Sequence, residues 1–186
     1  MRPTCFLRYR GSLVLCAIGL MPLPAPARAD QPAPVRPASH VRPLGSRASY
    51  TLERGTALSP TLRALVGQLE RSNVIVYVAE DPPRAGRSDA AIQFMGATAV
   101  LRFLRVTINI ELGLRQRIAL LGHELQHALE VAANPEIGDR ASFLRYYERF
   151  GSRLLDPNTL DSQAAVEAGE QISLELMGAA PLGRRE

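Results

Sequence analysis

The sequence predicts an α+β domain in which a small mixed or antiparallel sheet packs on helices that follow the strands. Two observations support this class. The middle of the chain contains short β-branched runs bounded by turn residues, and the part after about residue 112 has apolar residues at helical spacing. The predicted order is one helix, three strands and three helices.

The folded part is predicted to begin near Ser49. Ser59 followed by Pro60 gives an N-cap with proline at the first helical position, and apolar residues then recur on one face as far as about Arg71. The run NVIVYVA at residues 73–79 is short and β-branched, which indicates an inner strand covered on both faces.

Two further strands, at residues 91–95 and 100–110, are predicted to form a hairpin around Gly96. The second strand carries arginine, threonine and asparagine among its apolar residues. This pattern favours a position near a sheet edge, with one solvated face.

Three helices are predicted after the strands. The first covers about residues 112–132 and ends before Pro135. The second covers about residues 139–150, where Tyr146 and Tyr147 stand at helical spacing with two phenylalanines and are interpreted as core packing. The third covers about residues 158–177.

The first 29 residues have the pattern of an export signal. A basic start is followed by an apolar run that is too short and too rich in proline for a membrane span, and then by the small-x-small sequence Ala27-Arg28-Ala29. We therefore predict cleavage after Ala29, export to a periplasm or to the extracellular space, and no stable membrane insertion of the mature chain.

Removal of residues 1–29 changes the composition. The segment contains four of the 22 basic residues and no acidic residue, so 18 basic residues remain against 18 acidic ones and the net charge of +4 falls to zero. The charge therefore gives no reason to expect a nucleic-acid partner. Cys5 and Cys16 are also removed, which leaves no thiol nucleophile or ligand.

The remaining chain is divided by composition into three parts. Residues 30–48 are rich in proline and are predicted to form a disordered linker, in which His40 is expected to be solvated. Residues 49–180 are the predicted folded domain. Residues 181–186 are a polar tail.

His123 and His127 are two of only three histidines in the chain, and they stand four positions apart in the helix predicted for residues 112–132. This spacing turns the imidazoles about 40° from one another and about 6 Å along the axis, so both can reach one metal ion. The intervening pattern H-E-x-x-H is that of zinc peptidases, in which the glutamate, here Glu124, takes a proton from a water molecule activated by the metal. Two core histidines and a solvated acid are the alternative, but the imidazoles would then lack partners on an alanine- and leucine-rich helix.

LGHELQHALE, at residues 121–130, resembles the active-site helix of the zincin-like metallopeptidases, and specifically of their gluzincin-like members. The resemblance covers about residues 73–177. It implies a zincin-like fold, a Zn²⁺ cofactor, a peptide or protein substrate, and a third ligand from a later helix. It also implies that an edge strand holds extended substrate, which we expect along residues 100–110.

The third ligand implied by the resemblance is Asp161. Residues 161–165, DSQAA, line up with the family patterns E-x-x-A-D and E-T-x-A-A, with aspartate in place of glutamate. Glu167 and Glu170 are the alternatives, and Glu130 is interpreted as an acid that contacts a ligand from behind or lies at the surface.

Asp161 also has an alternative role. The pair Asn158 and Asp161 resembles an N-terminal capping arrangement, and an acid in the first turn complements the helix dipole.

The sequence therefore predicts an exported zinc-dependent hydrolase, a metallopeptidase with His123, His127 and Asp161 on the metal and Glu124 as general base. A second hypothesis is a zincin-like binding or structural domain that holds metal without turnover, which the aspartate at the ligand position and the lack of an evident oxyanion donor favour. A third is that residues 30–47 occupy the cleft, with His40 as a fourth ligand.

Overall fold

A computed structural model describes residues 39–83, 88–150 and 161–178. The predicted signal segment, residues 30–38 of the predicted linker and the predicted polar tail lie outside these ranges. Within them, none of the helices combines the length and the apolar character needed to cross a bilayer.

The described residues form one four-stranded mixed sheet and five helices, which confirms the α+β class. The strands are β1 (Val41–Pro43), β2 (Val74–Asp81), β3 (Ala90–Ala97) and β4 (Arg102–Asn109). The helices are α1 (Ser46–Leu58), α2 (Pro60–Leu69), α3 (Leu114–Ala133), α4 (Arg140–Phe150) and α5 (Gln163–Gly178).

The strands lie in the order β1-β2-β4-β3. β2 is paired in parallel with β1 and β4, as its predicted inner position requires. β3 and β4 form the predicted antiparallel hairpin, but Gly96 lies within β3 opposite Phe103, so the turn is at residues 98–101 and not at Gly96. The prediction that residues 100–110 lie near the edge is wrong, because β4 is paired on both sides and β3 is the edge strand. Buried and partly exposed residues alternate along β4. Such alternation reports that one face is covered, and it does not distinguish an inner strand from an edge strand.

β1 and α1 correct the predicted linker. Val41 is buried and lies opposite Val76 of β2, and α1 begins at Ser46. The linker prediction is therefore wrong for residues 41–48, and the domain starts before Ser49. A strand of three residues is too short for its periodicity to be recognised.

α1 was not predicted because its buried face is made of small residues. Ala48, Thr51 and Gly55 are its buried positions. Gly55 contacts α2 and α3 so closely that an added Cβ would lie 2.4 Å from Leu62 and 3.0 Å from Ile118. α1 is therefore held by close packing of small residues, and it lacks the stripe of large apolar residues by which an amphipathic helix is recognised in a sequence.

The core lies between one face of the sheet and the helices α2 and α3. The predicted N-cap of α2 is confirmed, because Ser59 Oγ accepts a hydrogen bond from the Leu62 amide at 2.9 Å. The predicted apolar stripe of α3 is buried against the sheet. The largest fully buried side chains include Leu62, Leu69, Leu104, Ile108, Ile118, Leu121 and Leu125.

α5 packs against α3 and also contacts α2. Ile172 and Leu176 are buried. Ile172 packs so closely on Gly122 that a Cβ added to Gly122 would lie 2.0 Å from Cδ1 of Ile172. The Glu175 carboxylate accepts hydrogen bonds from the Ser59 hydroxyl and, at 2.6 Å, from the Thr61 hydroxyl. α5 is thereby fixed to both α2 and α3.

Arg102 of β4 anchors the carboxyl end of α3. Its guanidinium donates to the carbonyl oxygens of Val131, of Ala132 at 3.1 Å and of Asn134 at 2.7 Å, and to the side chain of Asn73 at 2.6 Å. The last carbonyls of a helix have no partner inside the helix, and a guanidinium offers five donors. The helix that carries the two histidines is therefore tied to the sheet.

Candidate metal centre

The two histidines of α3 lie at the edge of its buried face. Their ring centroids are 4.9 Å apart and the rings are nearly perpendicular. Leu121 and Leu125 of α3 are buried in the core. The imidazoles of His123 and His127 point instead to the side of α3 where α5 begins. The predicted convergence of the two side chains is therefore present.

Asp161 lies just before α5 and directs its carboxylate at both imidazoles. Its Oδ1 is 3.1 Å from Nε2 of His123 and 3.6 Å from Nε2 of His127. Ligand atoms of the three residues lie within 4.8 Å of one another, and the group could hold a metal ion. A tetrahedral ion with bonds of about 2.0 to 2.2 Å separates its ligands by about 3.3 Å, and the two distances to Asp161 lie on either side of that value.

Ser162 is the residue that caps α5. Its Oγ accepts a hydrogen bond from the Ala165 amide at 3.1 Å, and its carbonyl accepts from the Val166 amide at 3.2 Å. The capping position that was the alternative for Asp161 thus belongs to the next residue. Asn158, the other member of that arrangement, lies outside the described residues.

The alternative ligands on α5 do not join the group. Glu167 and Glu170 are both exposed. Glu167 accepts a hydrogen bond from Gln163 at 2.9 Å along the outer face of the helix.

His40 is held at the opposite edge of the sheet, beside β1. Its amide donates to the two carboxylate oxygens of Glu70 at 3.0 and 3.1 Å, and its carbonyl accepts from the Val76 amide at 2.8 Å. It stands beside β1, which is three strand spacings, or about 14 Å, from β3. His123, His127 and Asp161, here called the His–Asp group, lie next to β3. The hypothesis that His40 is a fourth ligand is therefore wrong.

Glu124 faces the same cleft as two members of the group. The cleft has a volume of about 280 Å³ and is lined by Glu124, His127 and Asp161 together with residues of β3 and α4. Burial raises the pKa of Glu124, and the neighbouring imidazoles of His127 and His123 oppose this rise. A buried carboxylate of raised pKa beside a cleft can exchange a proton with a molecule bound there.

The walls of the cleft come from the edge strand and from α4. Ala90, Ala91 and Ile92 of β3 form one side, and Phe143 and Leu144 form the other. Because β3 lines the cleft and β4 lies inside the sheet, the expectation that substrate binds along residues 100–110 is wrong.

Glu130, which the sequence suggested as an acid behind a ligand or at the surface, lies largely buried behind His127, and Tyr147, interpreted as core packing, joins it there. Glu130 Oε2 lies 3.0 Å from Nδ1 of His127 and accepts a hydrogen bond from the Tyr147 hydroxyl at 3.1 Å. The Tyr147 ring packs edge-on against the His127 ring, with centroids 5.0 Å apart. The spacing of His127 and Glu130 was a usable signal for this contact, whereas Tyr147 has the pattern of an ordinary core residue, and it is indeed buried.

The charges around His127 favour a cation. Burial lowers the pKa of His127, but hydrogen bonds with Asp161 and Glu130 outweigh burial and raise it to about 9. Burial raises the pKa of Glu130, but its bonds to His127, Ser162 and Tyr147 lower it overall. Hydrogen bonds from His123 and His127 hold the pKa of Asp161 well below its usual range. The carboxylates are therefore ionised at neutral pH and attract positive charge.

Comparison of the chain with protein-family models, with curated proteins and with solved structures gave no match. The chemistry of the centre is therefore read from its ligand atoms. Imidazole nitrogen and carboxylate oxygen bind several divalent metals, with zinc among them.

Proposed function

We propose that this protein is a zinc-dependent hydrolase, a zincin-like metallopeptidase in which His123, His127 and Asp161 hold the metal and Glu124 is the general base. One observation carries the proposal. The Asp161 carboxylate converges on the Nε2 atoms of both histidines, and Glu124 lines the cleft that opens beside them.

Zinc is proposed because of the kind and number of the side chains. Two histidines and one carboxylate are the protein ligands of many catalytic zinc sites, in which a further position stays open. A bound zinc ion would lower the pKa of a water molecule and polarise a carbonyl group. Three ionised or ionisable acids near the two imidazoles give the cation a favourable electrostatic environment.

Glu124 supplies the proton transfers in this proposal. It takes a proton from the attacking water and returns that proton to the amine that leaves when the peptide bond breaks. Its burial supports both steps, because a raised pKa makes the protonated carboxyl group accessible nearer to neutral pH.

The proposed substrate is a peptide segment that extends beside β3. The edge strand next to the helix of the two histidines corresponds to the arrangement that the zincin resemblance implies, with β3 in the place expected for residues 100–110. The cleft side chains of Phe143 and Leu144, the latter half-exposed, suit an apolar side chain of the substrate. Export to a periplasm or to the extracellular space is part of the proposal and is supported by the pattern of residues 1–29.

A second candidate is a metal-binding domain without turnover. The Tyr147 phenol lines the cleft, but its hydroxyl is hydrogen-bonded to the His127 carbonyl at 3.3 Å and to Glu130. The single phenolic proton already has acceptors, which leaves no free donor on this side chain for an oxyanion and favours this alternative.

The proposal is tested with the purified full chain. Zinc content is measured by elemental analysis, and hydrolysis is measured on a library of internally quenched peptides. We expect one zinc ion per chain, and we expect Glu124→Gln to keep the metal while it lowers kcat by about 10² to 10⁴-fold. Glu111→Gln is the matched control, since Glu111 is exposed in the turn before α3.

Three outcomes separate the candidates. Absence of stoichiometric zinc, or unchanged hydrolysis in Glu124→Gln, would overturn the proposed mechanism. Stoichiometric zinc with no hydrolysis of any library peptide would favour the domain without turnover.

A further inference from the structure

Glu130 connects the three helices that surround the His–Asp group. Its Oε2 contacts Nδ1 of His127 on α3 and accepts from the Tyr147 hydroxyl on α4. Its Oε1 accepts from the hydroxyl of Ser162 at the start of α5. The side chain is only 11% exposed, so these contacts take the place of water.

The contact with His127 selects one tautomer of the imidazole. An ionised carboxylate can only accept hydrogen bonds, so the proton of a neutral His127 ring is held on Nδ1. Nε2 then keeps its lone pair, and Nε2 is the atom that lies 3.6 Å from Asp161. The ring is thus presented to a metal ion in its ligating form.

The contact with Ser162 acts on the other ligand segment. A hydroxyl has one proton to donate and lone pairs to accept with. Ser162 donates to Glu130 and accepts from the Ala165 amide, so one side chain both caps α5 and binds Glu130. Because Asp161 directly precedes Ser162, the same bond fixes the backbone from which the Asp161 carboxylate extends.

We infer that Glu130 is a positioning residue that orients both His127 and Asp161, which lie on separate chain segments, toward one metal ion. This inference rests on the proposed function, in which these residues hold zinc. It goes beyond that function by assigning the preorganisation of two ligands to a single carboxylate that does not itself bind the ion.

The test is zinc affinity of the full chain, measured by competition with a chromophoric chelator. Glu130→Gln keeps the size of the side chain, but only one oxygen remains to accept from His127 and Ser162. We expect the affinity to fall by about 10- to 100-fold, as is usual when a ligand loses its outer partner. Glu167→Gln is the matched control, because Glu167 is exposed and accepts a hydrogen bond from Gln163 on the outer face of α5.

Three further readouts separate positioning from a purely structural role. The visible spectrum of the Co²⁺-substituted protein is expected to change in Glu130→Gln, since the ligand geometry changes. Ser162→Ala should also weaken zinc binding, and Ser162→Thr should restore it, because threonine keeps both the hydroxyl donor and the cap. The effects of Glu130→Gln and Ser162→Ala should be less than additive, since both substitutions remove the same hydrogen bond, the one between Ser162 and Glu130.

The outcomes distinguish this inference from the function on which it rests. If the wild-type chain binds zinc and Glu130→Gln binds it equally well with an unchanged Co²⁺ spectrum, the inference is wrong and the proposed function stands. If the wild-type chain binds no zinc, both are wrong. Should Glu130→Gln fail to fold, Ser162→Ala decides: unchanged zinc affinity in that variant overturns the inference.

Discussion

Oδ1 of Asp161 lies 3.1 Å from Nε2 of His123, although 38 positions separate the two residues in the chain. The contact joins the start of α5 to the middle of α3. The His–Asp group therefore forms only when α5 is packed on α3, which makes it a product of tertiary structure.

Asp161→Asn is expected to weaken zinc binding by more than about 100-fold, because it removes the charge of a direct ligand. Loss of a residue that only hydrogen-bonds a ligand usually costs about 10- to 100-fold. Glu170→Gln is expected to leave the affinity unchanged, since Glu170 is exposed on α5. Both affinities can be measured by chelator competition. Weaker binding in Glu170→Gln with normal binding in Asp161→Asn would show that the ligand assignment is wrong.

The stability of the metal-free protein is expected to fall as the pH rises from about 6.5 through 9. The pKa of His127 is raised from 6.5 to about 9 in the folded chain, so the folded state holds this proton more tightly than the unfolded state does. The stabilisation is complete below the unfolded pKa and is lost above the folded one. Thermal unfolding in the presence of chelator measures it, and a His127→Gln variant should lose this pH dependence.

Zinc affinity is expected to show the opposite trend and to increase with pH up to about 9. Zinc binds neutral imidazole, so binding must displace the proton that His127 carries near neutral pH. Titration calorimetry in buffers of different ionisation enthalpy should report release of about one proton at pH 7.5. An affinity independent of pH between 7 and 9 would contradict this assignment.

Gly122→Ala is expected to destabilise the fold by about 1 to 3 kcal/mol, because its Cβ would lie 2.0 Å from Cδ1 of Ile172, a fully buried side chain of α5 that would have to repack. Gly67→Ala is the matched control inside helix α2, where the nearest atom to an added Cβ is the end of Arg71 at 3.8 Å. This control should be neutral or gain about 0.5 to 1 kcal/mol. Denaturant unfolding of both variants measures the difference, and equal stabilities would refute the close α3–α5 contact.

Leu144→Ala is expected to raise KM for peptides with a large apolar side chain and to leave kcat nearly unchanged. Leu144 is 50% exposed and lines the cleft, so its loss removes contact area that ground state and transition state share. Leu44→Ala is the control, because Leu44 is 48% exposed beside β1 at the far edge of the sheet. An unchanged KM in Leu144→Ala would place the substrate elsewhere.

The sequence was sufficient where a signal is local and strong. The Ser59–Pro60 start of α2 and the pairing of two neighbouring strands as a hairpin depend on nearby residues, and both are present, although the hairpin turn is not at Gly96. The spacing of His123 and His127 fixed their convergence, because four residues along a helix leave little freedom in direction.

The sequence was insufficient where the outcome depends on distant partners. The edge position of β3 is decided by which strand β4 pairs with, and its own residues do not record that choice. The sequence left open whether Asp161 caps its helix or joins the two histidines, and the packing of α5 on α3 decided this by bringing the Asp161 carboxylate to His123 while Ser162 caps α5. Tyr147 is buried like any core aromatic residue, so its bond to Glu130 has no distinctive pattern in the chain.

The anchoring of α3 by Arg102 determines which part of the domain opens first. The last turn of α3 is held by several hydrogen bonds to a guanidinium that belongs to β4. α4 is attached by ring contacts such as Phe94 with Phe143, at 6.2 Å, and by one side-chain hydroxyl, that of Tyr147. Local fluctuations start where attachments are fewest. Amide hydrogens of α4 should therefore exchange with solvent before those at the end of α3. The cleft would then open by movement of α4, while α3 and the sheet keep their positions.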